Sequence, residues 1–209
     1  MRRPDLLAQP VMVKGLPASS CEWRGERVLV WDTAERGLRL LRMFEQGTSL
    51  PEVAALLFPC PAVLWGRTEE EAGELLAEVM WEAFGLDVTA DGRRQGHERP
   101  VFDWDEDAAR IRASLLSAYG MGWEEASRTT SYVDMCALLS SLLEAGETPF
   151  RQAVSFRAGT PPKRTERNRE YCEWWRSMRE HYALKRADAD ADDGMADEFA
   201  ALKRLAGGD

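Results

Sequence analysis

The strongest constraint on the fold is a repeat of apolar residues, three and four positions apart, within residues 68–84. The repeat consists of Ala72, Leu75, Leu76, Val79, Met80, Ala83 and Phe84. Thr68 and Glu71 stand before it with the spacing of a capping box, and Gly85 follows it. A stripe with this spacing covers one face of an α-helix, and such a face is stable only when it is buried. The sequence therefore predicts an amphipathic helix that begins after Thr68 and ends at Gly85.

The same helical spacing recurs along most of the chain, between glycines and prolines. It predicts further helices near residues 32–46, 51–58, 108–119, 131–145, 148–158 and 165–185. Ahead of them, two short β-type runs flank Arg24-Gly25-Glu26, a turn in which glycine can adopt positive φ. The predicted fold class is mainly α, a helical bundle of about six or seven helices with a small N-terminal β-hairpin.

Changes in composition predict how the chain is divided. Residues 91–100 are rich in Gly and Arg and have no apolar period, so they are interpreted as a linker. Residues 1–90 then form a hairpin plus helical N-terminal subdomain, and residues 101–186 a helical C-terminal subdomain. Residues 187–209 form an acidic tail that we expect to be disordered, because it has too little apolar surface to offset its ordering entropy.

Charge and composition disfavour several classes of protein. The net charge of −9 makes the chain a poor general binder of nucleic acid, because phosphate contacts need clustered cations. No run of about 18 apolar residues is present, so no membrane-spanning helix is expected, and the N-terminus has no signal-like stretch. The four cysteines are far apart and in no metal-binding spacing, which is typical of a reducing cytosol.

Two acidic clusters are candidates for a metal-binding or proton-transferring site. Asp103, Asp105, Glu106 and Asp107 could bind a metal or transfer protons, but no nearby histidine or phosphate loop completes such a site. A helix start, where carboxylates cap free amides, is the favoured interpretation. Residues 188–199 approximate a calcium loop, but the glycine and the bidentate glutamate are not at the required positions. We therefore predict no catalytic, cofactor-binding or metal-binding residues.

The aromatic stripe of the last helix is the main candidate for partner binding, together with one tryptophan in a predicted loop. The candidate residues are Tyr171, Trp174, Trp175, Met178, Tyr182 and Trp65. Trp, Tyr and Met, with neighbouring arginines, are enriched at interface hot spots. Core packing of the stripe ranks ahead of partner binding, and base stacking on nucleic acid ranks third. For Trp65, a packing anchor and an exposed contact both stay open.

A series of weak motifs runs through residues 102–157. It comprises Phe102-Asp103-Trp104, Ile111-Arg112-Ala113-Ser114, Tyr119-Gly120, Met135-Cys136-Ala137-Leu138-Leu139, Thr148-Pro149-Phe150 and Phe156-Arg157. In this order they resemble a siphophage family that is encoded beside the tape-measure gene and described as tail assembly chaperone-like. More loosely, the family's opening hairpin and first helix resemble Leu16-Pro17, Trp23-Arg24-Gly25-Glu26-Arg27 and the helix from Asp32 to Phe44. A departure is Tyr132-Val133, where the family usually has a pair of tryptophans.

The resemblance implies a non-enzymatic helper of phage tail assembly. Its expected partner is the tape-measure protein, with the major tail protein and self-association as further candidates, and with neither membrane nor nucleic acid expected. It would act in the cytoplasm of the bacterial host and be absent from the mature virion. Two alternatives stay open: a structural virion component, such as a head–tail joining or tail-terminator protein, and a nucleic-acid-binding regulatory module.

Overall fold

The computed structural model describes residues 11–86, 101–144 and 146–185, except for the side chain of Glu45. The chain divides into two compact units: unit 1 is Met1–Arg94 with Trp123–Leu138, and unit 2 is Gln95–Gly122 with Leu139–Asp209. The predicted linker at 91–100 and the acidic tail at 187–209 lie outside the described residues. Residues 123–138 group with the N-terminal residues, whereas the sequence analysis assigned them to the C-terminal subdomain.

Unit 1 opens with a three-stranded antiparallel sheet in the order β1-β2-β3. The strands are β1 Val11–Val13, β2 Leu16–Trp23 and β3 Glu26–Val30. Arg24 and Gly25, which join β2 to β3, have φ of 49° and 80°, the positive values that a tight two-residue hairpin requires. The predicted hairpin is therefore confirmed. The additional strand β1 has only three residues, too few to show an alternating pattern in the sequence.

The helices of unit 1 follow the sheet. They are α1 Ala34–Glu45, α2 Leu50–Leu57, α3 Glu69–Val79 with a π-helical turn at Met80–Phe84, and α5 Trp123–Thr129. The capping box of α3 is present, with the Glu71 amide donating to Thr68 Oγ1 at 3.2 Å. All seven apolar residues of the repeat that predicted this helix are buried. The helix ends at Gly85, whose φ is 69°.

The segment around residue 131 is held in unit 1 by main-chain contacts. Its Thr130 carbonyl accepts from the Ala34 amide at 2.9 Å, and its Tyr132 amide donates to the Asp32 carbonyl at 2.7 Å. The ring of Tyr132 is buried and lies 5.9 Å, centroid to centroid, from that of Phe84. These contacts explain why residues 123–138 group with elements much earlier in the chain.

The regular elements in the described residues of unit 2 are all helices. Its helices are α4 Ala108–Tyr119, α7 Pro149–Ala158 and α8 Arg169–Tyr182, together with the second half of α6 Tyr132–Glu144. The Phe150 amide donates to the buried hydroxyl of Ser114 at 3.0 Å, which marks the close approach of α4 and α7. Phe102, Ile111, Leu115 and Phe150 are fully buried and form part of the core of this unit.

The fold class is mainly α with a small N-terminal sheet, as the sequence predicts. The described residues contain eight α-helices, against the six or seven expected. The unpredicted helix is α5, whose sequence, Trp-Glu-Glu-Ala-Ser-Arg-Thr, has no apolar stripe and buries only Ala126 and Ser127. Within these residues no helix is both long and apolar enough to cross a membrane.

Candidate partner-binding surface

Helix α8 is positioned by the side chains that it buries. Cys172 and Trp175 are its buried residues, with Trp175 only 8% exposed. Phe156 of α7 lies edge-on to Trp175, 6.0 Å between ring centroids, and stacks on Tyr182 at 5.6 Å with an angle of 10° between the planes. Aromatic pairs with this spacing stabilise beyond the area they bury. One edge of α8 is thereby fixed to α7.

A second set of rings on the same helix faces solvent. Tyr171 is 54% exposed and Trp174 is 48% exposed. The two rings stack on one another at 5.6 Å, and Trp174 is edge-on to Phe156 at 5.6 Å. We call Phe156, Tyr171 and Trp174 the aromatic ridge. Phe156 is half-buried, whereas Tyr171 and Trp174 are neighbouring exposed rings. Such rings are characteristic of interaction sites, because Trp and Tyr supply large contact areas with few rotatable bonds.

The candidate residues therefore divide between core and surface. Trp175 belongs to the core, Met178 and Tyr182 are half-buried, and Tyr171 and Trp174 are exposed. Trp65 is 81% exposed and follows the short 3-10 helix Pro61–Leu64 in unit 1. Helical spacing alone predicts one stripe in α8, but it does not reveal that half of this stripe is left uncovered by α7.

A buried ion pair fixes the helices that carry the ridge. Arg157 of α7 donates to both carboxylate oxygens of Asp107, and their side chains are 7% and 0% exposed. Arg157 also donates to the carbonyl of Val101 at 3.0 Å and to the carbonyl of Tyr182, at the end of α8. One guanidinium thus joins α7, the end of α8 and the segment before α4. The sequence analysis named Arg157 only as part of a motif and gave it no role.

Asp107 is held in its charged form by these partners. Burial would raise its pKa, but the hydrogen bonds from Arg157 and from the Asp103 amide, together with the charge of Arg157, outweigh it. Arg110 adds a further bond to Asp107 at 2.6 Å. The pKa of Asp107 is consequently below its ordinary value. The carboxylate therefore stays charged and fully engaged within the protein.

Two other carboxylates of the acidic cluster accept hydrogen bonds from backbone amides. Asp103 Oδ1 accepts from the amides of Asp105 and Glu106, both at 2.8 Å, and Glu106 accepts from the Lys185 amide at 3.0 Å. These are the bonds of a helix start and of a tether to the segment after α8. In the described part of the chain, no three His, Cys, Asp or Glu residues come together as metal ligands would.

The stretch of sequence that contains α8 is rich in basic residues although the chain as a whole is acidic. Residues 163–185 contain seven Lys or Arg and four Glu. Arg169 pairs with Glu173 at 3.0 Å, and Arg179 lies 5.8 Å from the centroid of the Trp175 ring. Arg164, Arg167 and Arg176 are exposed and make no ion pair within the described residues. The helix that carries Tyr171 and Trp174 therefore also has exposed basic side chains, Arg176 among them.

Comparison with known proteins gives no relative: no family model, no curated protein and no solved structure matches this chain.

Proposed function

We propose that this chain is a bacteriophage tail assembly chaperone whose aromatic ridge binds the tape-measure protein before the tail is built. The observation that carries the proposal is the pair Tyr171 and Trp174, two stacked and half-exposed rings on a helix that is itself firmly held. The family resemblance of residues 102–157 supplies the identity of the client. The major tail protein is a second candidate partner, since it would displace the chaperone as the tail tube forms.

The proposed mechanism is physical shielding. A tape-measure protein is long and helical, with apolar stripes that would aggregate if they stayed in water. The exposed rings of the ridge would pack against such a stripe, whose apolar side chains recur three and four positions apart. Each contact can be weak when several copies line one client, because the bound copies act together. The net charge of −9 would keep the coated client soluble.

The contacts of the buried charged residues support a binding function over a catalytic one. The buried carboxylate of Asp107 and the buried guanidinium of Arg157 satisfy one another, and Asp103 caps backbone amides. Each of these charged groups has a structural partner in the described residues, whereas the exposed rings of Tyr171 and Trp174 are available to a macromolecule. The proposal therefore assigns no catalytic residue and no cofactor.

Co-expression with the tape-measure protein encoded beside it tests the proposal. The wild-type chain should keep the client soluble and co-purify with it. The double variant Tyr171→Ala, Trp174→Ala should lose most of the client, because its two anchors are gone. Ser177→Ala is the matched control on an exposed position of the same helix and should behave as wild type. Equal recovery of client with the double variant would exclude the ridge as the binding surface.

The cellular location provides a second test. The proposal implies action in the cytoplasm of the infected bacterium and release before the particle is complete. Mass spectrometry of purified particles should then find the tape-measure protein without this chain. Detection of this chain at the copy number of a tail component would favour the alternative, a structural virion protein such as a head–tail joining or tail-terminator protein. A low-salt retention assay on DNA and RNA, with no shift expected, addresses the nucleic-acid alternative.

A further inference from the structure

The aromatic ridge is bordered on one side by α7 and on the other side by α8 itself. On the first side, Phe156 of α7 lies 5.6 Å from the ring of Trp174. The exposed residue one turn before Phe156 is Gln152, which carries no charge. We call the second side the open edge of the ridge. The side chains of α8 at this edge determine which charges a bound helix meets.

Helical geometry places Glu170 at the open edge. Glu170 precedes Trp174 by four residues within α8, a spacing at which two side chains are neighbours on the helix surface. Around the helix axis, it lies about 40° from Trp174, on the side away from the buried Trp175. Trp175 lies about 100° from Trp174 in the opposite direction, towards α7. The carboxylate of Glu170 is therefore next to an exposed ring of the ridge.

Glu170 is available to a partner, unlike the other glutamates of α8. It is exposed, and its carboxylate makes neither an ion pair nor a hydrogen bond within the described residues. Glu173 is paired with Arg169 at 3.0 Å. Glu180 follows Trp174 by six residues, which puts it on a different side of the helix. Any acidic residue in the first turn favours the helix dipole, but that role leaves the carboxylate of Glu170 free to meet a cation.

The cations of α8 do not oppose this charge at the open edge. Arg176 follows Trp174 by two residues, a spacing at which side chains do not face each other. Arg179 lies 5.8 Å from the centroid of the buried Trp175 ring, which is on the side towards α7. His181 is seven residues after Trp174, near the end of the helix, and its ring is 4.8 Å from the ring that follows it in the chain. The open edge thus has one carboxylate and, two turns beyond Trp174, an imidazole.

We infer that the aromatic ridge is specific for a client helix with lysine or arginine beside its apolar stripe, and that Glu170 determines this specificity. The client helix packs its stripe on Tyr171 and Trp174 and places a cation at the open edge, against the Glu170 carboxylate. A glutamate at the same place in the client meets a like charge instead, which disfavours binding. This specificity rests on the proposed client-binding function, but a preference between two clients is measured separately from binding as such.

Two fluorescent peptides test the specificity. Both are amphipathic helices of about 20 residues with leucines three and four apart, and the residues beside the leucine stripe are lysine in one peptide and glutamate in the other. The full chain should bind the lysine peptide more tightly. A preference for the glutamate peptide would overturn the inference. Because the net charge of −9 attracts any basic peptide, variants of equal net charge are needed to isolate the contribution of Glu170.

Charge reversal isolates that contribution. Glu170→Lys should lower the ratio of the lysine-peptide to the glutamate-peptide affinity about tenfold, because it exchanges attraction and repulsion for both peptides. Glu180→Lys is the matched control, since it changes the net charge equally at an exposed position of the same helix. This control should keep the ratio within about twofold of wild type. An equal fall in the two variants would overturn the inference, because the preference would then come from net charge alone.

A further variant separates specificity from folding. Glu170→Gln removes the charge without adding another and should lower the affinity ratio about threefold, whereas a folding defect in α8 would weaken both peptides equally. If wild type binds both peptides and neither substitution of Glu170 changes the ratio, the inference is wrong and the proposed function stands. If wild type binds neither peptide, the proposed function fails and the inference fails with it.

Discussion

Arg157 and Asp107 form a two-pronged ion pair that is almost completely buried, with side-chain exposures of 7% and 0%. The pair connects α7 to the segment that precedes α4, and the same guanidinium reaches the carbonyl of Tyr182. The aromatic ridge is carried by α7 and α8, so this contact, together with the ring contacts of Phe156, fixes its geometry. A charged pair taken out of water has to be complete, since either charge alone is strongly destabilising in the interior.

Arg157→Met should therefore lower the free energy of unfolding by about 3–5 kcal/mol, because it leaves the Asp107 carboxylate buried without its main partner. Urea unfolding monitored by circular dichroism measures the loss. Arg169→Met removes the exposed pair with Glu173, whose side chains are 68% and 54% exposed, and should change stability by no more than about 0.5 kcal/mol. Similar losses in the two variants would mean that the buried pair has no special structural role.

The pKa of Asp107 makes a prediction about acid stability. Its pKa is lower in the folded than in the unfolded chain, so the stabilisation is complete above the unfolded value. It is lost progressively as the pH falls below about 4. The stability advantage of wild type over Asp107→Asn should therefore shrink across this acidic range. Unfolding curves at several pH values measure this difference in stability. A constant difference would show that the pKa of Asp107 is the same in the folded and the unfolded chain.

The contact between Gly37 and Tyr132 predicts a packing defect. A Cβ atom on Gly37 would lie 2.2 Å from Cδ2 of the buried Tyr132 ring, far inside van der Waals contact. Gly37→Ala should reduce stability by about 1–3 kcal/mol, although alanine is the better helix former. Gly73→Ala is the matched control in α3, where no atom lies within 4 Å of the added Cβ. Thermal unfolding should show the control at or above wild type, and a stabilised Gly37→Ala would contradict the described packing.

Substitution of Trp65 tests whether this side chain contributes to client binding or to stability. Since its side chain is 81% exposed, Trp65→Ala should change the free energy of unfolding by less than about 0.5 kcal/mol. If Trp65 is a second anchor for the client, the same variant should recover less tape-measure protein in co-purification. Full recovery would restrict the binding surface to the ridge, and a large loss of stability would show that Trp65 is a packing residue.

Thiol reactivity checks the burial of the four cysteines. Cys60 is exposed between two prolines, whereas Cys21, Cys136 and Cys172 are buried. A thiol reagent should modify Cys60 rapidly in the native protein and the other three only on unfolding, because reaction requires access to the sulfur. Cys60→Ser should abolish the rapid phase. Rapid modification of more than one thiol in the native state would contradict the described cores.

Elements that depend on local chemistry could be predicted from the sequence. The capping box of Thr68, the apolar repeat of α3 and the glycine stop at Gly85 all lie within one helix, so periodicity and capping specify it without tertiary information. The hairpin around Gly25 is likewise set by its turn. Helix α5 could not be predicted, because its polar sequence becomes helical only in the context of the surrounding unit. The grouping of residues 123–138 could not be predicted either, because it depends on contacts with Asp32 and Ala34.

The candidate surface was predicted only in part for the same reason. Spacing placed Tyr171, Trp174 and Trp175 on one helix, but their division into exposed and buried rings depends on where Phe156 of α7 lies. The role of Arg157 depends on groups up to 56 residues away in the chain, as its bond to the carbonyl of Val101 shows. Local patterns carry no information about contacts at such separations.

Hydroxyl-radical footprinting of the complex with the tape-measure protein tests the central claim, that the aromatic ridge binds the client. Oxidation of Tyr171 and Trp174 is compared between the free chain and the complex, with buried Trp175, 8% exposed, as the internal reference. We expect both rings to be oxidised rapidly in the free chain and as slowly as Trp175 in the complex. Oxidation of Tyr171 and Trp174 at the same rate in both states would contradict the claim.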